Sequence, residues 1–139
     1  MADTSKGFRF RYRLCGAPPT IQTIVCKSTA TLTKGDLVSL DAGELALSAT
    51  NDSAIAGVVL ETKAGVDSTT TYKVIVDDDA VYGVYDAAAR VIGATLDIAG
   101  TTGAMTIATS SNVDLQVVAT SSASEETLVK IAHGEHFMN

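Results

Sequence analysis

The stretch KGDLVSLDAGELALSATNDSAIAGVVLE, residues 34–61, decides the fold class. It contains three short apolar segments with polar turns between them. In the second segment Leu45 and Leu47 alternate with small or charged neighbours, a period of two that places one set of side chains on a buried face. The third segment, residues 54–60, is more deeply apolar. Strands this short and turns this tight predict a β-meander that curls on itself or packs on a second layer.

The rest of the chain repeats this pattern. Its 139 residues are close to the usual size of one domain. Apolar residues make up 46% of the chain but aromatic residues only 5%, without Trp, which favours thin β layers of Val, Ile, Leu and Ala. We therefore predict a mainly all-β domain of about eight to ten short strands. Asp86–Gly93 is the one helix candidate, because Asp86 can cap it, three Ala favour it and Gly93 can end it.

Charge is distributed unevenly along the chain. The net charge is −6, of which residues 1–13 contribute +3 and the remainder −9. An acidic body argues against general nucleic-acid binding, which requires a basic footprint. A basic arm on an acidic body instead predicts a tail that docks on another surface, such as the acidic face of a neighbouring copy.

Cysteine content and hydropathy set the expected compartment. Cys15 and Cys26 are the two cysteines, and they belong to no CxxC motif or Cys/His cluster. We therefore expect reduced thiols in a protein made in the cytoplasm. The polar N-terminus predicts no signal peptide, and no window reaches the roughly 20 apolar residues of a membrane helix. No membrane partner is expected.

Residues 8–13, FRFRYR, alternate aromatic and arginine side chains without a break. As a strand, this segment presents one aromatic face and one cationic face. The aromatic residues are Phe8, Phe10 and Tyr12, and the cationic residues are Arg9, Arg11 and Arg13. Three interpretations are open: an edge strand whose rings cap the core, an arm that adds to the sheet of a partner, and rings that stack on single-stranded nucleic acid. The acidic body disfavours the third.

A proline pair follows this segment. Pro18 and Pro19 lack an N–H donor, so residues 16–19 cannot take part in regular strand pairing. We predict a hinge or an extended linker at this position. It divides the chain into an N-terminal arm with its hinge, residues 1–19, and a β-barrel-like body, residues 20–139.

The polar clusters give no positive indication of catalysis. Asp77-Asp78-Asp79 lacks the spacers, the turning Gly and the bidentate Glu of a calcium loop. We interpret it as a solvated turn or bulge, or else as a weak cation or partner site that receives a neighbour's arginine arm. His133 and His136 would lie on opposite faces of a strand, without further zinc ligands, and no Ser has a partnered base. We predict no enzyme activity, no metal and no cofactor.

Together these segments resemble the small head-decoration, or capsid cement, proteins of tailed bacteriophages. The resemblance rests on FRFRYRLCGAPPT, KGDLVSLDAGELAL with AIAGVVLET, YKVIVDDDAVYGV, GATLDIAG with MTIATSSNVDLQVVAT, and LVKIAHGEH. It implies a compact β-barrel-like domain, a β-tulip in many members, that is commonly trimeric at three-fold positions of the shell. It also implies an arm that contacts the major capsid protein. That role is carried onto Phe8, Arg9, Phe10, Arg11, Tyr12 and Arg13, with Pro18 and Pro19 as the hinge.

The function that this resemblance implies is structural. Such a protein is made in the bacterial cytoplasm and stabilises the outer surface of the virion by bridging subunits of the major capsid protein. Another virion component, such as a head-fibre base or a tail-tube-like subunit, stays open and predicts rings, filaments or a different binding site. A small carbohydrate-binding or enzymatic β domain also stays open. It predicts a concave aromatic site, for which the body offers Tyr72, Tyr82 and Tyr85.

Overall fold

Every helix or strand in the described part of the computed structural model is a β-strand. The model describes residues 7–27, 31–49, 54–63, 67, 69–85, 90–100, 102–103, 105–109, 114–121, 126–132 and 134–137. The strands are β1 (Phe8–Arg13), β2 (Ile21–Val25), β3 (Leu37–Asp41), β4 (Glu44–Leu47), β5 (Ile55–Val58), β6 (Thr71–Ile75), β7 (Ala80–Tyr85), β8 (Thr95–Ala99), β9 (Thr106–Thr109), β10 (Leu115–Ser121) and β11 (Glu126–Ile131). The mainly all-β prediction is confirmed, with eleven strands in these residues instead of eight to ten.

The strands form three antiparallel sheets. The largest has the order β1-β7-β11-β10-β8-β9, β2 pairs with β6, and β3 lies between β4 and β5. The described sheets do not close into the predicted barrel. Closure requires hydrogen bonds between the two edge strands of a sheet, whereas β1 and β9 are the opposite edges of the six-stranded sheet.

The meander quoted above is the three-stranded sheet β4-β3-β5, and both of its faces are buried. Leu37 on β3 packs into a large core with residues of the six-stranded sheet, while its neighbour Val38 packs into a second core with residues of β6. Ile55 and Ala56 on β5 divide between the two cores in the same way. Burial on both faces explains why residues 54–60 are so deeply apolar.

Gly57 allows β5 and β6 to approach each other closely. A Cβ at this position would lie 1.7 Å from the carbonyl oxygen of Ile75, so no other residue fits here without a backbone shift. Val59 and Val74 form an isolated antiparallel bridge beside this contact. The three-stranded and two-stranded sheets therefore join at β5 and β6.

The described part of the predicted helix is not helical. Residues 86–89 lie outside the described residues, and residues 90–93 form irregular chain and a turn before β8. The Gly93 N–H donates to the carbonyl of Val117 on β10 at 2.9 Å, and the Ala94 N–H closes the turn onto the carbonyl of Val91 at 3.0 Å. The main chain of this segment is thus engaged by β10 and by its own turn.

Candidate partner-binding surface

The FRFRYR segment forms β1, an edge strand of the six-stranded sheet. It pairs with β7, with Phe10 opposite Tyr82, and Arg11 is the extra residue of a bulge. Phe8 is buried in the large core and Phe10 packs against that core, whereas Tyr12 is 42% exposed. The interpretation as an edge strand whose rings cap the core therefore holds for Phe8 and Phe10 but not for Tyr12. The partner-binding role that the resemblance implies for residues 8–13 stays a prediction.

Two arginines of β1 share one carboxylate. The Nη2 of Arg9 donates to Glu126 Oε2 at 2.8 Å, and the Nε of Arg11 donates to Glu126 Oε1 at 3.0 Å, with a further bond from Arg11 Nη2 to Oε2. A Cβ on Gly83 of β7 would lie 2.5 Å from the carboxyl carbon of Glu126. The glycine therefore leaves the space that the carboxylate fills. Arg9, Arg11 and Glu126 are called the Glu126 cluster below.

Glu126 is held in its ionised form. Its side chain is only 10% exposed, and this burial alone raises its pKa. The hydrogen bonds from Arg11 and Arg9, together with their positive charges, outweigh burial and hold the pKa of Glu126 below its usual range. The ionised carboxylate thus ties β1 to β11 across β7, and the cluster keeps a net positive charge.

The Asp77-Asp78-Asp79 turn between β6 and β7 holds the chain that follows β1. The Nε of Arg13 donates to Asp79 Oδ1 at 2.8 Å, and the Cys15 N–H donates to Asp79 Oδ2 at 3.2 Å. Burial raises the pKa of Asp79, but these two hydrogen bonds and the charge of Arg13 outweigh it and lower the pKa. An ionised Asp79 therefore fixes the exit from β1.

Asp77 fixes the far end of the same segment. Its Oδ2 accepts the Thr20 N–H at 2.7 Å, and its Oδ1 lies 3.5 Å from Nη1 of Arg13. Because Asp77 is buried, the interpretation of this acidic run as a solvated turn is wrong for that residue and fits only the exposed Asp78. The arginine that reaches the turn is Arg13 of the same chain.

Between Cys15 and Thr20, which these two aspartates hold, and for a few residues beyond them, the chain runs along the surface. In residues 14–23, here called the exposed segment, every residue except the half-buried Pro19 is exposed. Leu14 and Ile21 expose 53% and 48% of their surface. In the described residues the two-stranded sheet gives β2 one neighbouring strand, β6, so the start of β2 is a strand edge. Exposed apolar side chains beside a strand edge are typical of contact surfaces.

The predicted hinge lies inside the exposed segment. Pro18 is exposed, and its carbonyl accepts a bond from Arg13 Nη1 at 3.4 Å. Because Asp79 and Asp77 hold the chain on either side, the proline pair spans two fixed points in this structure. The sequence reasoning selected the prolines but not Leu14 or Ile21. One feature of the sequence could have indicated them: Leu14 and Ile21 lie on either side of residues 16–19, which cannot take part in regular strand pairing.

The remaining candidates for chemistry are structural or lie outside the described residues. His133 is not described, whereas His136 is buried, and its Nε2–H donates to the Ala56 carbonyl at 3.1 Å. Burial lowers the pKa of His136, so it is a neutral core residue near neutral pH. Cys15 is exposed and Cys26 is buried, and both are free thiols. Among the described residues, no three His, Cys, Asp or Glu are placed to hold a metal ion, and no helix has the length and apolarity to cross a membrane.

The candidate surface therefore has two parts, the Glu126 cluster on β1 and the exposed segment held by Asp77 and Asp79. The first joins β1 to β11 across β7 through charge, and the second displays apolar side chains from a tethered chain. No protein-family model, no curated protein and no solved structure matches this chain.

Proposed function

We propose that this chain is a structural virion protein that binds the outer surface of a tailed-phage capsid and stabilises it by bridging subunits of the major capsid protein. The observation that carries the proposal is the exposed segment, which displays Leu14 and Ile21 from a chain fixed by Asp79 and Asp77. The β-tulip class and the homotrimer implied by the resemblance belong to the same proposal.

A tethered apolar segment suits a protein that binds a rigid shell. Ordering a free chain on docking costs about 1–2 kcal/mol per residue in backbone entropy. Here the hydrogen bonds that Asp79 and Asp77 accept from Cys15 and Thr20 fix the segment at two positions before any partner is bound. Less ordering entropy then opposes binding, so a larger share of the gain from burying Leu14 and Ile21 appears as affinity.

Several weak contacts in one assembly support the same role. The start of β2 offers a strand edge, and strand addition supplies main-chain hydrogen bonds in addition to side-chain burial. Copies joined in a trimer would present three such surfaces at high effective concentration. An assembly of this kind can hold neighbouring capsid subunits together even where a single copy binds weakly.

Co-sedimentation with expanded, undecorated shells of the virus that carries this chain tests the proposal. Removing residues 1–20 is a poor variant, because it also deletes β1 and the buried Phe8. Ile21→Asp is sharper, and Ile92→Asp is its matched control because Ile92 is 68% exposed in the turn before β8. We expect saturable binding by the wild-type protein and by Ile92→Asp, and at least about tenfold weaker binding by Ile21→Asp.

The outcomes separate the functions that the sequence left open. Absence of saturable binding to any form of the shell contradicts the cement function. Rings or filaments of the purified protein in electron micrographs would favour a tail-tube-like or fibre-base component. Shell binding that Ile21→Asp leaves unchanged would keep the function but reject the exposed segment as its contact.

A further inference from the structure

A cleft of about 460 Å³ lies along the free edge of β1, separate from the exposed segment. Residues 8–11 of β1 form one wall, and residues 58–60 at the end of β5 form the opposite wall, with Lys34 and Gly35 beside them. The Gly35 N–H donates to the carbonyl of Val59 at 3.0 Å, which holds the far wall in place. Its apolar lining includes Phe10 and Leu60, which are only partly buried against the core.

The edge of β1 that faces this cleft has main-chain groups available for pairing. The Phe8 N–H donates to the carbonyl of Gly35 at 2.8 Å, away from β7. Hydrogen-bonding directions alternate from residue to residue in an antiparallel pair, so Arg9 faces β7 and the N–H and C=O of Phe10 face the cleft. Beyond Phe10 the bulge at Arg11 interrupts the register. One residue of β1 thus offers a donor and an acceptor to an added strand.

The rim of the cleft carries a cation although the whole chain is acidic. Lys34 lines the cleft, whereas the guanidinium groups of Arg9 and Arg11 reach across β7 to Glu126 and so point away from this edge. Lys34 is exposed, and its side chain forms no ion pair with another described residue. Lys34 therefore presents a positive charge at this edge of a protein of net charge −6. Such a cleft selects an anionic partner.

We propose that this cleft binds an extended acidic segment of a partner protein, which pairs with the main chain of Phe10 and places a carboxylate at Lys34. An extended peptide fits because it carries both a main-chain donor and a main-chain acceptor, which Phe10 requires, and side chains that alternate between the apolar wall and the cationic rim. A nucleic-acid strand would satisfy the charge but has no such backbone pairing. The proposal concerns a surface other than the exposed segment, so it stands or fails independently of the capsid function.

A peptide titration followed by NMR tests this proposal on the full chain. The probe is a peptide of about eight residues that alternates valine and glutamate, and the control alternates valine and lysine. We expect the glutamate peptide to shift the amide signals of Phe10 and Gly35 at about 1 mM or below, and the lysine peptide to leave them unchanged. N-methylation of every peptide bond should abolish the shifts, because it removes the main-chain donors from both edges of the added strand.

Charge variants identify the site and exclude general attraction. We expect Lys34→Glu to weaken binding of the glutamate peptide by roughly tenfold. Lys73→Glu makes the same charge change at an exposed position of β6 outside the cleft, and we expect it to alter binding less than about twofold.

Three results would overturn the proposal. One is no shift at Phe10 with the glutamate peptide, and another is equal binding by the lysine peptide. The third is stronger binding of an oligothymidylate than of the glutamate peptide at the same residues, which would assign the cleft to nucleic acid.

Discussion

Arg11 and Arg13 leave the same strand two residues apart and meet carboxylates in different surroundings. Arg11 reaches Glu126, which is 10% exposed and shared with Arg9 above the Cβ-free position Gly83. Arg13 reaches Asp79, whose side chain is 23% exposed in a turn. The first contact joins strands within a sheet, and the second joins the end of β1 to a turn whose Asp79 also holds the exposed segment through the Cys15 N–H.

The two contacts are expected to have different roles, one in the stability of the fold and the other in the position of the exposed segment. A mostly buried carboxylate with two arginines is costly to disrupt, because removing its charge takes from both cations the carboxylate that they share. Asp79 is more exposed than Glu126, and the described contacts give it one arginine, so we expect its ion pair to add less to the free energy of unfolding because water and salt screen it more. We therefore expect the Glu126 cluster to stabilise the fold and the Asp79 contact chiefly to fix the position of the exposed segment.

The largest expected effect is that of Glu126→Gln. The substitution keeps the size of the side chain but removes the charge that Arg9 and Arg11 share. We expect the free energy of unfolding to fall by about 2 kcal/mol, below the range for fully buried pairs because Arg11 is partly exposed. Urea unfolding followed by circular dichroism measures this change.

Glu44→Gln is the control for this experiment. Glu44 begins β4, and the described residues give it no ion-pair partner. We expect the control to change stability by less than about 0.5 kcal/mol. An equal loss in the free energy of unfolding of Glu126→Gln and Glu44→Gln would contradict a stabilising role for the Glu126 cluster.

The stability difference between the wild-type protein and Glu126→Gln is expected to depend on pH, which is a smaller and graded effect. The folded state lowers the pKa of Glu126 from 4.5, so the unfolded chain binds the proton more tightly. The contribution of Glu126 is therefore complete above about pH 4.5 and is lost as the pH falls through the folded pKa. We expect the stability difference between wild type and Glu126→Gln to shrink steadily below pH 4.5.

His136 provides an internal check on this measurement. Its pKa is lowered from 6.5 by burial, so its contribution to stability is complete above pH 6.5 and falls below it. This loss occurs in both proteins and cancels in their difference. A stability difference that already shrinks between about pH 6.5 and 5 would contradict the assignment to Glu126.

The local pattern was sufficient to predict the strands but not their partners. Three short apolar segments separated by polar turns in residues 37–60 predict β3, β4 and β5, and in β4 the alternation of Leu45 and Leu47 with their neighbours has a direct geometric meaning. The alternation of residues 8–13 likewise predicts β1. Arg11 and Glu126 are 115 residues apart, and they meet only because the sheet order places β1 and β11 on either side of β7.

The acidic turn shows the same limit at the candidate site. A run of three aspartates is hydrophilic, so the sequence indicates solvent. Asp77 is nevertheless buried, because the Thr20 N–H, 57 residues away in the chain, takes the place of water at its carboxylate. For the same reason the exposed Leu14 and Ile21 were not predicted, since their exposure depends on where that turn holds the chain.

The smallest effect on stability, and the one that best separates the two contacts, is expected from Asp79→Asn. The amide cannot accept at both positions, and we expect its one oxygen to keep the bond from the charged Arg13 and to lose the bond from the Cys15 N–H. We expect urea unfolding to match that of Asp78→Asn, which makes the same charge change one residue away. Hydrogen exchange of the Cys15 amide should nevertheless be about threefold to tenfold faster in Asp79→Asn than in Asp78→Asn or the wild-type protein.

If the exposed segment is also the capsid contact, shell binding should weaken in Asp79→Asn while the fold is retained, because ordering the loosened chain then opposes docking. A loss of stability in Asp79→Asn as large as that in Glu126→Gln would contradict the different roles assigned to the two contacts. The turn would then stabilise the fold and not only position the exposed segment.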